Sequence, residues 1–293
     1  KQKTAYEIRN TEQTRPTGEQ STHRTAPSSR SSSMSSWRPY HQATRSATYG
    51  FWSALPLFVL YETMIVVVNL DATRPVRVGA GVWIKDLLTM TGASGGIVLA
   101  LLVVGGGLAA YLLDRGRDIP LRSRYFVGLV GESAVYAVVV AIGVSSAVGA
   151  LFAAIPSPEG ALWTQLALSI GAGLYEELVF RVLLVGGLAL LFRALMEGPT
   201  QAYIVAALLG AALFSGAHYV GPLGDPFALP SFTFRFLFGL ALNALFLWRG
   251  FGVAAWTHAL YDVMVVTGTL GECVVRGAYC LVNDGIGTAM RNT

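Results

Sequence analysis

Between Leu166 and Phe192 the sequence reads LALSIGAGLYEELVFRVLLVGGLALLF, and its only charged residues are Glu176, Glu177 and Arg181. A hydrocarbon core of ~30 Å takes about 20 helical residues to cross. The run is long enough, so it predicts a transmembrane helix with three ionisable groups where lipid should be. Each such group costs ~2.5–3.5 kcal/mol even on the gentlest insertion scale, which makes all three functional candidates. Glu177 and Arg181 are also four apart, on one helix face, and a buried ion pair that only holds the fold is the alternative reading.

The rest of the chain follows the same pattern. Of 293 residues, 53% are hydrophobic and 13% charged, against roughly 25% charge in soluble domains; a soluble globular protein is excluded. Apolar runs recur at about 50–70, 93–113, 125–154, 163–193, 201–219, 231–248 and 251–270. Polar breaks separate most of them, ATRPVR at 72–77, DRGRDIPLRSR at 114–124, PSPEG at 156–160, EGPT at 197–200 and GPLGDPFALP at 221–230. VGAGVWIKDLLT near 79–90 is amphipathic and predicts a helix lying along the interface. The fold class expected is an all-α polytopic membrane bundle of about seven transmembrane helices plus this interfacial helix. Residues 49–272 form the transmembrane domain, flanked by a polar tail over 1–48 and a short C-terminal segment over 273–293.

The tail carries Lys1, Lys3, Arg9, Arg15, Arg24, Arg30, Arg38 and Arg45 against Glu7, Glu12 and Glu19; without it the net charge of +4 becomes −1. Its Ser-, Thr- and Arg-rich composition is that of a segment too polar to fold alone. It predicts an arm for anionic lipid headgroups or for a partner in a membrane-protein complex, and no nucleic-acid partner. A transit peptide is the alternative, and the three glutamates count against it. Arg38 and Arg45, then Arg115, Arg117, Arg122 and Arg124, then Arg193, then Arg249 fall at alternate span ends. The positive-inside rule therefore predicts a cytoplasmic N-terminus in a bacterial inner membrane, with Arg74 and Arg77 on the outer side as exceptions. Cys273 and Cys280 would then lie outside, where a disulfide is expected.

Other ionisable residues share the spans. Glu62 and Glu132 have no partner identifiable from sequence, and each reads equally as a hydrogen-bonded packing group or a cavity-lining one. Two of the four histidines lie in apolar spans, His218 four residues after Phe214 in FSGAH and His258 four before Asp262 in HALYD. A lone intramembrane histidine is more often a packing residue than a catalyst. Two carboxylates, an arginine, two histidines and a further acid on three spans fit that reading poorly.

In order, EELVFR at 176–181, FSGAH at 214–218 and HALYD at 258–262 resemble the three motifs of the CPBP or Abi family of intramembrane proteases, which includes the CAAX prenyl endopeptidases. The resemblance covers about residues 163–270. It implies a CPBP-type helical bundle that hydrolyses a peptide bond of a membrane-associated, prenylated or leader-type substrate. Residue by residue, it makes Glu176 the base that activates water, His218 a holder of that water, Arg181 the partner of Glu177, and His258 with residue 262 the oxyanion stabilisers. Position 262 is Asp where the best-studied CAAX enzymes have Asn, and an ionised Asp cannot donate to an oxyanion. Asp262 would then be protonated, orient His258, or ligate a metal. Glu176, His218, His258 and Asp262 make a plausible zinc shell; the glutamate-and-water reading needs no cofactor. A non-proteolytic subunit of a larger membrane assembly, docked through residues 1–48, is the alternative function.

Overall fold

The apolar runs fold as helices wherever they are described. The structure, a computed structural model, describes residues 39–70, 75–90, 92, 94–151, 161–221 and 224–269. Most of the polar tail, residues 1–38, and the cysteines 273 and 280 lie outside the described residues. The helices are α1 (Ala47–Val68), α2 (Gly79–Thr89), α3 (Gly95–Leu113), α4 (Ser123–Leu151), α5 (Leu162–Leu195), α6 (Pro199–Ala217), α7 (Leu229–Arg249) and α8 (Phe251–Val266). Among the described residues, α1, α3, α4, α5, α6 and α7 are long and apolar enough to cross a membrane. The 16-residue α8 rises only about 24 Å; it is the innermost helix, packed against α1, α4, α5 and α7.

Local sequence explains where these helices start and stop. The Ser46 hydroxyl accepts a hydrogen bond from the Tyr49 amide at 3.1 Å and caps α1. Pro199 and Pro230 sit in the first turns of α6 and α7, where a missing N–H costs nothing. Between α7 and α8 the chain reverses on one residue, Gly250, at φ 88°. A side chain there would lie 2.9 Å from the Arg45 carbonyl oxygen, so both the conformation and the space demand glycine.

The helix that carries the two adjacent glutamates touches α8 backbone to backbone. A Cβ on Gly173 would sit 2.5 Å from the Ala259 methyl and 2.6 Å from the Ala255 carbonyl oxygen. Val253, Ala254, Ala255 and Ala259 are all buried. Small residues at a crossing are how membrane helices approach closely when no water is there to drive them together. Over Ala172–Val185, α5 is wound as a π-helix, and the Gly186 amide donates five residues back to the Arg181 carbonyl.

Polar clusters fasten the two ends of the bundle. At the first end, residues 39–46 reach the α7–α8 turn and residues 114–122 bond to the start of α1. There Arg249, fully buried, donates from Nε and Nη2 to the two oxygens of Glu132 at 2.6 Å each, and Tyr40 and Tyr136 donate to the same carboxylate at 2.7 Å. Burial, with Glu132 beside it, pushes the Tyr40 phenol well above its ordinary pKa. At the second end α2 lies across the bundle. Glu62 accepts from Tyr175 Oη at 2.7 Å, Lys85 Nζ at 3.3 Å and Arg77 at 3.4 Å, while the Val78 amide donates to Tyr61 Oη. Burial pulls the Lys85 ammonium down from its ordinary pKa against the raising pull of Glu62. Glu62 and Glu132 are thus anchors of the fold, each satisfied by specific partners.

Candidate active site

The three motifs converge on the half of the bundle nearer the second end. They do so in two layers, because adjacent positions on a helix point roughly a quarter of a turn apart. Glu176 and Phe180 face a cavity of about 830 Å³, and one position on, Glu177 and Arg181 face the interior and are fully buried. His218, at the end of α6, and Asp262, on α8, also line the cavity, whereas His258 lies behind it, 3% exposed.

The buried layer is a chain of charges. Glu177 Oε1 lies 3.1 Å from Arg181 Nη1 and 2.7 Å from His258 Nδ1. On its other side, His258 Nε2 lies 3.4 Å from Asp262 Oδ2, which connects the interior to the cavity wall. Among the described residues none accepts a hydrogen bond from Arg181. Its guanidinium is held instead by the Glu177 charge and by the face of Phe214, 4.3 Å away. Phe214 is also edge-on to His218 at 5.0 Å and to Phe180 at 5.1 Å, and Phe238 stands edge-on to His258 at 5.0 Å. The rings exclude water from the buried charges, which strengthens every electrostatic contact among them.

In the cavity layer, His218 Nδ1 lies 2.8 Å from the Phe214 carbonyl oxygen. A carbonyl only accepts, so the proton sits on Nδ1 and the lone pair of a neutral ring is at Nε2. That nitrogen is 3.9 Å from Glu176 Oε2, too far for a hydrogen bond and suited to one bridging molecule. The Asp225 amide donates to the His218 carbonyl at 2.8 Å, and Asp225 pairs with Arg235, which fixes the loop beyond α6.

A zinc ion does not fit this arrangement. The nitrogens that could face an ion, His258 Nε2 beside Asp262 and His218 Nε2 beside Glu176, belong to separate pairs. Among the described residues no three His, Cys, Asp or Glu side chains converge as a metal site.

Sequence reading missed the fourth wall. Arg77, Trp83 and Asp86, in or just before α2, line the cavity with Glu176 and Asp262, and Trp83 lies edge-on to Phe180 at 6.2 Å. The amphipathic pattern of α2 was the available signal. An interfacial helix has an apolar face that must cover something, and here it covers the cavity.

Residues 158–264 match the family model described as Type II CAAX prenyl endopeptidase Rce1-like, a range that contains all three motifs. No curated protein and no solved structure matches the chain.

Proposed function

We propose that the chain is an intramembrane endopeptidase that hydrolyses its substrate with a glutamate-activated water, a reading supported by the match of residues 158–264 to the Rce1-like CAAX prenyl endopeptidase model. One observation carries this reading. Glu176, His218 and Asp262 line one cavity while Glu177, Arg181 and His258 lie buried directly behind it.

In this reading the attacking water occupies the gap between Glu176 Oε2 and His218 Nε2. It donates one hydrogen bond to the carboxylate and another to the imidazole lone pair. As Glu176 takes its proton, the hydroxide oxygen bonds to the scissile carbonyl carbon and the carbonyl π electrons move to oxygen. His258 supplies the donor for that oxyanion from Nε2. Its Nδ1 proton is committed to Glu177, so the ring acts as an imidazolium between Glu177 and Asp262, and Asp262 sets its angle. Glu176 then returns its proton to the leaving amine as the C–N bond breaks. Arg181 balances Glu177 and touches neither water nor substrate. No step needs a metal.

The partners that follow are lipid and a peptide or protein segment in the membrane, with residues 1–48 as an arm for a complex partner. The orientation we propose is a cytoplasmic N-terminus in a bacterial cytoplasmic membrane. The test is cleavage, in proteoliposomes, of prenylated C-terminal peptides and membrane-anchored leader peptides by the wild type and by Glu176→Gln. Turnover of at least one substrate by the wild type, lost in the variant, is the expected result. Equal turnover by both would end the assignment and leave the motifs as a polar network that holds three helices together.

A further inference from the structure

We infer that the bundle holds a second site, a groove at its first end that seats one anionic phospholipid, with the headgroup against Arg45 and Arg193 and an acyl chain between α3 and α5. This inference does not depend on the protease reading above.

The groove exists because α3 stands apart. It packs against α1 and α2, and its buried residues are Val98 and Ala110. Between α3 and the face formed by α5 and the α7–α8 turn lies a cavity of about 700 Å³. Phe58, Leu102, Leu174 and Leu178 wall its deep part, and Gly106 and Ala109 on α3 are small enough to leave the space open. Along α1 the lining runs from Ala47 to Phe58, a rise of about 17 Å, close to the ~15 Å that each leaflet contributes to a hydrocarbon core of ~30 Å. The groove is therefore one acyl chain deep. It shares no lining residue with the cavity of Glu176. Leu174, Leu178 and Val182 stand on one face of α5, and Ala172, Glu176 and Phe180 on another. A chain seated here has the helix itself between it and Glu176, so it is not a substrate.

The occupant is identified by where the polar groups fall. The polar side chains of the lining are Arg45, Ser46, Tyr175 and Tyr203. Ser46 caps α1, and the Tyr175 hydroxyl donates to Glu62 at 2.7 Å. Arg45 and Tyr203 remain, both at the first end. Arg193 donates to Tyr203 Oη at 3.3 Å and holds its guanidinium 5.9 Å from the ring centre, just outside the mouth. Arg45 is steadied by a bond from Nη2 to the Leu247 carbonyl at 2.9 Å, which leaves its other N–H groups to the mouth. Both arginines are exposed. Among the described residues, ion pairs engage Arg77, Lys85, Arg117, Arg181, Arg235 and Arg249, and neither of these two. Two cations without a carboxylate, set where the helices end above an apolar groove, complement a phosphodiester, which arginine binds in bidentate fashion. A neutral lipid would fill the groove and leave the arginines unused. Residues 1–38, rich in Ser, Thr and Arg, match neither the apolar wall nor the charge.

The test strips the detergent-purified full chain of lipid and returns phosphatidylglycerol or phosphatidylcholine with the same acyl chains. Native mass spectrometry reads the bound lipid, and thermal melting reads its effect. One phosphatidylglycerol should be retained about 30-fold more tightly than phosphatidylcholine, the worth of two cations at a membrane surface. The melting midpoint should rise with it, because the chain packs on Tyr175, which holds Glu62 and through it α2. Arg45→Gln with Arg193→Gln should lower phosphatidylglycerol to the affinity of phosphatidylcholine and leave the latter unchanged. Ala109→Trp, which fills the groove from an exposed position on α3, should weaken both lipids while the lipid-free midpoint stays where it was. Equal retention of the two lipids by the wild type, retention of neither, or phosphatidylglycerol binding untouched by both variants overturns the inference. Displacement of bound phosphatidylglycerol by an equal concentration of farnesol overturns it too, and gives the groove to an isoprenoid chain.

Discussion

Glu177 Oε1 lies 2.7 Å from His258 Nδ1 although 81 positions separate the two residues. The contact joins the first motif to the third inside the bundle, and the same oxygen lies 3.1 Å from Arg181 Nη1. One buried carboxylate therefore serves an arginine and an imidazole together, and the stability of the site depends on all three charges.

Removing only one of them should be severe. Arg181→Ala leaves Glu177 buried without its cation, at a cost of about 3–5 kcal/mol by analogy with other broken buried pairs. Thermal unfolding in detergent should show a lower midpoint and reduced yield. The double variant Glu177→Gln with Arg181→Met removes the pair and keeps its volume, so it should recover much of that stability without recovering activity. A single and a double variant equally unstable would mean that packing around Phe214, not charge, sets the cost.

Glu176 should behave in the opposite way, because it faces the cavity. Glu176→Gln keeps shape and hydrogen bonding but cannot take a proton from water. Turnover should fall by about 10²–10⁴-fold, the usual worth of a general base, with KM and melting midpoint nearly unchanged. A large rise in KM at constant kcat would make Glu176 a binding residue instead.

Asp262→Asn separates the metal-free reading from a metal-dependent one. With His258 as the oxyanion donor, an asparagine still sets the ring and adds an N–H to the cavity wall, so activity should be retained or rise. Dialysis against a zinc chelator should leave the wild type active, as the donor geometry around His258 and His218 implies. Inactivation by the chelator, reversed by zinc and weakened in Asp262→Asn, would restore the metal.

The anchor under α2 makes a further prediction. Glu62→Ala removes the acceptor for Tyr175, Lys85 and Arg77, leaving Lys85 half-buried and unpaired, at a cost of about 1–3 kcal/mol. Hydrogen exchange should quicken over residues 75–90 and over few others. Uniformly faster exchange would show instead that Glu62 supports the whole bundle.

How much of this was legible beforehand differs by feature, for physical reasons. Helix length and apolarity are local properties, so the run 231–248 foretold Leu229–Arg249 and the run 201–219 foretold Pro199–Ala217 to within two residues at each end. Four-residue spacing is local too; Glu177 with Arg181 and His258 with Asp262 could be paired from sequence because one helix face presents both members. Adjacency along the chain cannot say which of Glu176 and Glu177 meets the cavity, since that depends on where α8 packs, and Gly173 sets that by touching Ala255 and Ala259. Nor could it assign Glu62 and Glu132, whose partners Tyr175 and Arg249 stand 113 and 117 positions away. A membrane-crossing sequence specifies its helices by what each segment does in lipid on its own. What a buried carboxylate does is set by the few ångströms around it, and only the packed bundle decides which groups occupy that space.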